Sequence, residues 1–284
     1  MSGPKLIAAG DNCLDVYLTK NRMAVGGNAL NVAVQWARRG LDARYVGVVG
    51  RDEEGDHILG AIGQAGLDPA IVERRDGHTA VTLLLEQNGD RRFLLEDLGV
   101  GLHYMPDAPR MQALRGADWV HLGTNSGEEL VKAALASNLP FSVDISTAHD
   151  DLPLAGIPLV FASGPEDPSE RVYDLLARFR AKGAARVVVT CGKRGAFYDD
   201  GVTVHEVRAQ EVDVVDTCGA GDSFIASFIL DHMVMGLSVS DALARATAEA
   251  ARTCTYEGGF PQELSPIPDW LPRKYSEVIA SAGQ

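Results

Sequence analysis

Short apolar, β-branched runs recur along the chain and alternate with longer stretches whose apolar residues return every three or four positions. Runs so short and so uniformly apolar fit strands buried on both faces of a parallel sheet. They predict strands over Lys5–Gly10, Ala43–Val49, Trp119–Leu122, Pro140–Asp144, Leu159–Ala162 and Arg186–Thr190. Helical spacing predicts helices over Ala29–Arg39, Asp52–Ala65, Glu128–Ser137, Glu170–Lys182, Asp222–Met235 and Val239–Tyr256. Several of these end at Gly or at Lys/Arg, as helix C-termini do. The alternation is that of an α/β protein.

One region breaks the rhythm. Thr79–Glu86 and Arg92–Leu95 read as strand residues around Asn88-Gly89-Asp90, and Asn-Gly between such runs predicts a hairpin because both turn residues need positive φ. The hairpin is either an edge decoration or a flap over a ligand cleft, and Cys13–Leu18 is a second extended piece able to join it. The tail after Phe260, with Pro261, Pro266, Pro268 and Pro272, predicts a surface-wrapping end.

At 284 residues the chain is long for one small domain, and 46% hydrophobic against 23% charged residues supports a sizeable core. A formal charge of -13 argues against nucleic acid or an anionic membrane as partner, but not against a small anion held by helix N-termini. Cys13, Cys191, Cys218 and Cys254 stand singly, so neither a zinc site nor a disulfide framework is expected. With no signal peptide or membrane span in the pattern, the expected setting is the cytoplasm.

The richest chemistry lies in Asp213-Val214-Val215-Asp216-Thr217-Cys218-Gly219-Ala220-Gly221-Asp222-Ser223-Phe224, where a loop becomes an apolar helix. Two glycines one residue apart leave backbone N–H groups unobstructed at the positive end of a helix, which makes an anion hole. The same run also reads as a glycine turn with Asp222 as N-cap. If Asp222 faces a substrate hydroxyl, it can take that proton while the N–H groups stabilise a phosphoryl group in transfer. The chain has no GxxxxGK[ST] loop, and no GxGxxG follows the first strand. Near the N-terminus Gly26-Gly27-Asn28-Ala29-Leu30-Asn31 opens a helix with Asn28 and Asn31 on one face, where amides can bond hydroxyls, although Asn28 is equally an N-cap candidate. Asp11 and Asp15 lie near the end of the first strand as possible polyol ligands or plain loop aspartates.

Gly26-Gly27-Asn28-Ala29-Leu30-Asn31 and Asp216-Thr217-Cys218-Gly219-Ala220-Gly221-Asp222 resemble the two signature regions of the PfkB (ribokinase-like) carbohydrate kinases. The resemblance runs from Gly10 to about Gly259. Gly10-Asp11-Asn12-Cys13-Leu14-Asp15-Val16-Tyr17 and the Gly-Ala-Gly-Asp-Ser-Phe-Ile-Ala run look most like fructoselysine 6-kinases. It implies a three-layer α/β/α sandwich with a mostly parallel sheet and a small β lid around 13–18 and 72–100, all within one kinase domain.

It implies roles as well. Asp222 would be the base, with Gly219, Ala220 and Gly221 as anion hole. Asp15, Gly26, Gly27, Asn28 and Asn31 would face the sugar. Thr190, Gly192, Gly195 and Thr217, with Gly219 and Gly221, would border ATP. Glu166 would help hold magnesium through water, and Asp216 would belong to a monovalent-cation loop that makes potassium an expected cofactor. Pairing of exposed hairpin edges makes a homodimer an expectation.

Two positions depart from the family. Ser163-Gly164-Pro165-Glu166 stands where Asn-x-x-Glu is usual, so a hydroxyl replaces an amide. Asp144-Ile145-Ser146 stands where many relatives show Asp-x-Asn-x-Arg, so no arginine clamp awaits a phosphorylated substrate. The expected reaction is ATP-dependent phosphorylation of a primary hydroxyl on a sugar or fructosamine. Ribose, fructose, 2-keto-3-deoxygluconate or a nucleoside is the alternative acceptor, with Tyr17, Phe93 and Tyr104 as candidate stacking rings and His78, Glu86, Arg92 and Glu96 as candidate lid contacts. A catalytically silent ligand-binding relative is the alternative of another class.

Overall fold

A computed structural model describes residues 3–87 and 90–281, with side chains outside 86–92. The chain opens with β1 (Lys5–Ala9), β2 (Cys13–Tyr17) and β3 (Arg22–Gly26), then α1 (Asn28–Arg38), β4 (Asp42–Val46), β5 (Val48–Gly50) and α2 (Glu53–Gln64). Next come β6 (Glu73–Arg75), β7 (Val81–Gln87), β8 (Asp90–Asp97), α3 (Ala108–Arg115), β9 (Trp119–Leu122), α4 (Glu128–Ala136), β10 (Phe141–Asp144) and β11 (Leu159–Ser163). The rest holds α5 (Val172–Ala181), β12 (Val187–Thr190), β13 (Ala196–Asp199), β14 (Val204–Val207), α6 (Ala220–Phe228), α7 (Val239–Thr253), β15 (Ser265–Pro266), α8 (Trp270–Lys274) and α9 (Ser276–Ser281).

The main sheet has eight strands in the order β14-β13-β12-β11-β10-β9-β1-β4. The six from β4 to β12 are parallel, and β13 and β14 run antiparallel at one edge. Alternate residues of the central strands feed two cores, as a sheet covered on both faces requires. Leu6 and Ala8 of β1 pack toward α1, α6 and α7, while Ile7 and Ala9 pack toward α3, α4 and α5. The layers are therefore α/β/α, and the expected strands and helices lie where the pattern puts them, within a few residues.

A second sheet, β15-β3-β2-β7-β8, stands beside the first. β7 and β8 are the expected hairpin, paired from Val81↔Asp97 to Gln87↔Asp90. The Asn88-Gly89 turn itself and the side chains of Glu86 and Arg92 lie outside the described residues. Cys13–Tyr17 does join it, as β2 parallel to β7. Leu14, Val16, Met23, Val25, Val81 and Leu83 turn one face of this sheet into the core shared with α1 and α6.

Three local expectations change. The single strand over Ala43–Val49 is two, because the Tyr45 ring folds over Gly47, where any Cβ would collide with it. Tyr45 Oη donates to the Gly10 carbonyl at 2.8 Å and accepts from Asn12 Nδ2 at 2.8 Å, which ties down the end of β1. The long helix over Asp222–Met235 is α6 continued by a π-helical turn, Ile229–Val234. The tail does more than wrap the surface. β15 extends the small sheet, and Lys274 and Tyr275 reach the fully buried Glu54 of α2 at 2.7 and 3.1 Å. Among the described residues no helix is long and apolar enough to cross a membrane.

Candidate active site

The carboxyl ends of β9, β10, β11 and β12 point toward the N-terminus of α6, and a cavity of about 250 Å³ lies between them. Ligands of open α/β sheets bind at such strand ends. Thr124, Asp144, Ser146, Ser163 and Thr190 supply polar walls, Phe161 and Ile225 apolar ones, and Asn28, Gly221 and Asp222 close it.

Asp222 sits in the first turn of α6, whose N-cap is Gly219 with φ +71°, so Asp222 is not itself the N-cap. Gly219 is required twice, by that left-handed φ and because a Cβ there would run into the backbone of Gly259. Gly259 in turn lies flat against the Asn31 amide. Gly221 has open space where a Cβ would stand, so the first-turn N–H groups of α6 lie beside an unobstructed surface.

The Asp222 carboxylate is held from both sides by α1. Asn28 Nδ2 donates to Oδ1 and Asn31 Nδ2 to Oδ2, each at 2.6 Å. One turn on, Gln35 Nε2 donates to Ser223 Oγ at 2.9 Å, and the Trp36 indole donates to the Ala226 carbonyl at 2.9 Å. This buried polar stripe at helical spacing locks α1 to α6 and so fixes both asparagines against the carboxylate. Asn28 is the first residue of α1 rather than its cap. Gly27, at φ +109°, is the N-cap, and the Asp11 carboxylate takes the Asn28 and Ala29 N–H groups at 2.7 and 3.2 Å.

The electrostatics are unusual for aspartates. Asn28 Nδ2 also donates to Asp144 Oδ2 at 2.9 Å, so one amide bridges two carboxyl groups. Burial pushes Asp222 up to about 6, against the two amide hydrogen bonds that pull it down. Burial first, then the charges of Asp222 and Asp11, push Asp144 up to about 7. Burial raises Asp11 too.

Of the residues expected to serve the site, Asp222, Asn28, Gly221 and Thr190 line the cavity itself. Asn31 and Asp15 lie beside it. The Asp15 carboxylate packs at 3.0 Å from where a Cβ on Gly26 would be, with the Asn31 amide 3.9 Å from the same point. Asn31 Oδ1 is buried and accepts no hydrogen bond from the described residues. Gly27 presses on the backbone of Asn12. Thr217 is exposed in the loop before Gly219 and Ala220, and Asp216 is buried. The Asp216 carboxylate accepts the N–H groups of Cys218 at 2.8 Å and Gly258 at 3.1 Å, which shapes that loop. Gly192, at φ +50°, packs on the exposed Glu166, and Gly195, at φ +98°, on the Val207 carbonyl. These two glycines and Glu166 stand outside the cavity wall, on the side of β12 and β13. Of the candidate stacking rings, Tyr104 and Tyr17 are buried, and Phe93 is exposed on β8.

Thr124 enters the site without having been singled out for it, and Asp144, Ser146 and Ser163, marked in the sequence only as departures from the family pattern, enter it as wall residues. Their signal was available, since each lies at or just past the carboxyl end of a strand in the parallel sheet. His121 is a different case: it lies behind Asn28 in the core, and its role depends on register across the sheet.

The description "pfkB family carbohydrate kinase" fits the chain over residues 5–138 and 154–263. The chain is 33% identical over 264 residues to "Fructosamine kinase FrlD" of Bacillus subtilis (strain 168), covering 90% of this chain and 93% of that one. It is 30% identical over 261 residues to "Fructoselysine 6-kinase" of Escherichia coli (strain K12), covering 90% and 99%. In fold it is similar to Arabidopsis thaliana ribokinase, solved with ribose and ATP, at a TM-score of 0.79 and 22% identity over 92% of this chain and 96% of that one. With the α/β/α layers, the second sheet and a carboxylate at the first turn of α6, these matches identify the chain as a member of the pfkB family of carbohydrate kinases, a phosphotransferase with the ribokinase-like fold.

Proposed function

We propose that the chain transfers the γ-phosphoryl group of ATP to a primary hydroxyl of a sugar derivative, the 6-hydroxyl of a fructosamine such as fructoselysine. The observation that carries this reading is the Asp222 carboxylate, clamped by Asn28 and Asn31 beside the open face of Gly221. A base and an anion-binding helix end lie within one turn of α6, which is what in-line transfer to a hydroxyl needs. The similarity to a fructosamine kinase and a fructoselysine 6-kinase over nine-tenths of the chain supports the acceptor class.

In this reading Asp222 accepts the hydroxyl proton as the oxygen attacks phosphorus, and Asn28 and Asn31 hold its carboxylate in line. The unpaired Asn31 Oδ1 and the neighbouring Asp15 take hydroxyls of the sugar. The Gly219-Ala220-Gly221 N–H groups stabilise the transferring phosphoryl oxygens, with Thr190, Gly192, Gly195 and Thr217 along the nucleotide. The small sheet of β2, β3, β7 and β8 serves as a lid that excludes water, within a single kinase domain.

Magnesium would be carried in by the nucleotide, with Glu166, exposed beside Gly192, as the carboxylate to meet it. Among the described residues no group of three or more His, Cys, Asp or Glu side chains is arranged to hold a metal. A magnesium ion that keeps most of its waters and its phosphate ligands needs few protein oxygens, and Glu166 would meet those waters. Bound there, magnesium supplies charge neutralisation for the phosphates. In the potassium loop Asp216 would act chiefly by fixing loop shape, through the N–H groups of Cys218 and Gly258.

Initial rates with ATP over fructoselysine, psicoselysine, fructose, ribose and a nucleoside test the acceptor. The proposal expects the highest kcat/KM with a fructosamine and a 6-phosphate product by ³¹P NMR. A preference for free ribose or a nucleoside would overturn it.

A further inference from the structure

His121 sits under the site and has no assigned part in it. It is fully buried on β9, opposite Ser142 of β10 in the parallel register, on the face that packs toward α1 and α6. Its Nε2 lies 3.0 Å from Asn28 Oδ1 and its Nδ1 lies 3.0 Å from Ser142 Oγ. The Trp119 indole N–H donates to the same Ser142 Oγ at 3.1 Å. Phe161, which lines the cavity, packs edge-on to the imidazole with ring centroids 6.0 Å apart.

The hydrogen bonds in this chain can run in only one direction. Ionised carboxylates only accept, so the Asn28 NH₂ must face Asp222 and Asp144, and its carbonyl oxygen must face His121. His121 Nε2 must then carry the proton. Its Nδ1 is left as the acceptor, which Ser142 O–H fills, and Ser142 Oγ accepts from Trp119, a donor only. Burial holds His121 neutral, down at about 3, so the arrangement persists wherever the two carboxylates are ionised.

We infer that His121, locked as its Nε2–H tautomer by Ser142 and Trp119, is a positioning residue that keeps the Asn28 amide turned with its NH₂ toward Asp222 and Asp144. In its absence the amide is free to turn over and present its oxygen to two carboxylates. That arrangement disfavours an ionised Asp222 and so removes base from the site. As a role in phosphoryl transfer this rests on Asp222 being the base; as a statement about the amide it does not. The groups that face Asp222 are Asp144 on β10, Asp11 after β1 and Asn28 and Asn31 on α1, with Asp15 on β2 beyond Asn31.

The test is spectroscopic and uses the full chain. Long-range ¹H–¹⁵N correlation of labelled histidine should show His121 as the Nε2–H tautomer from about pH 8 to 9, where both carboxylates are ionised. The ¹³Cγ titration of Asp222 should move up by about one pH unit in His121→Leu and in Ser142→Ala. His121→Gln, which restores a donor toward Asn28, should bring it back, whereas a role in packing alone would make leucine the milder change. Ser142→Ala removes one oxygen and guards against loss of fold in the histidine variants. An Nδ1–H tautomer, or an Asp222 titration that stays at its wild-type position in both His121→Leu and Ser142→Ala, would overturn the inference. The base reading fails separately, through full turnover in Asp222→Asn, and that result would leave the tautomer and titration data standing on their own.

Discussion

Asn31 Nδ2 lies 2.6 Å from Asp222 Oδ2 although 191 residues separate the two in sequence. Neither signature segment makes a site alone, since α1 supplies the clamp and α6 the carboxylate. Asn31→Leu should therefore act on chemistry as well as on sugar binding. We expect kcat to fall by about 10–100-fold with a raised sugar KM, and nucleotide affinity to change little. Steady-state kinetics with ATP and fructoselysine, alongside nucleotide titration calorimetry, check this.

The raised carboxyl groups set the pH profile. As the proposed base, Asp222 would have to be ionised to accept a proton, and burial holds it up at about 6 beside Asp144 at about 7. The two share the Asn28 amide and titrate as a pair. The acid limb of kcat/KM should therefore fall between about pH 6 and 7, well above an ordinary aspartate. A limb near pH 4 would contradict the assignment.

The same shifts predict a stability trend. Asp144 binds its proton more tightly folded than unfolded, so the stability it contributes is full below about pH 4 and is lost as pH rises through 7. Asp144→Asn, which carries no charge, escapes that loss. The difference in Tm, variant minus wild type, should grow by roughly 2–6 °C between pH 5 and pH 8. A flat or shrinking difference across that range would refute the burial argument.

Two glycines separated only by Ala220 should behave oppositely. Gly219→Ala meets a left-handed φ and the Gly259 backbone, and should cost about 1–3 kcal/mol of stability together with activity. Gly221→Ala meets open space at the wall of the cavity. It should fold as well as wild type or better, by up to about 1 kcal/mol, while the ATP KM rises several-fold because the methyl group blocks the anion-binding face. Thermal denaturation and ATP kinetics on both variants separate the two effects.

Lys274 lies 2.7 Å from the fully buried carboxylate of Glu54 and 3.6 Å from Asp52, which in turn binds Thr79 at the base of β7. Lys274→Met leaves the buried Glu54 carboxylate without its half-exposed cation and should cost about 1–3 kcal/mol. Adding Glu54→Leu should recover part of that loss, because the double variant buries no unpaired charge. A single variant as stable as wild type would show that the tail is only draped over α2.

Much of this was legible in the sequence. The apolar runs of β1, β9, β10, β11 and β12 are buried on both faces, and Asn-Gly flanked by alternating residues marked the hairpin of β7 and β8. What escaped depended on contacts across the fold. β3 is short and ends at Gly26, directly before the Gly27 N-cap of α1, so it reads as loop until β2 pairs with it. β13 and β14 turn tightly at Asp199-Asp200-Gly201, where the helical rhythm had ended. The break at Gly47 follows from where one tyrosine ring goes. Asp222, Asn28 and Asn31 were readable as a site only through motifs. Asp144 was readable from its place at a strand end, and His121 only once its register against Ser142 was known.

The central claim is that Asp222 is the base for phosphoryl transfer, and Asp222→Asn tests it most directly. Single-turnover kinetics with ATP and fructoselysine should show transfer slowed by at least about 10³-fold, with nucleotide binding by calorimetry within about twofold of wild type. Transfer at a near wild-type rate in Asp222→Asn would contradict the account.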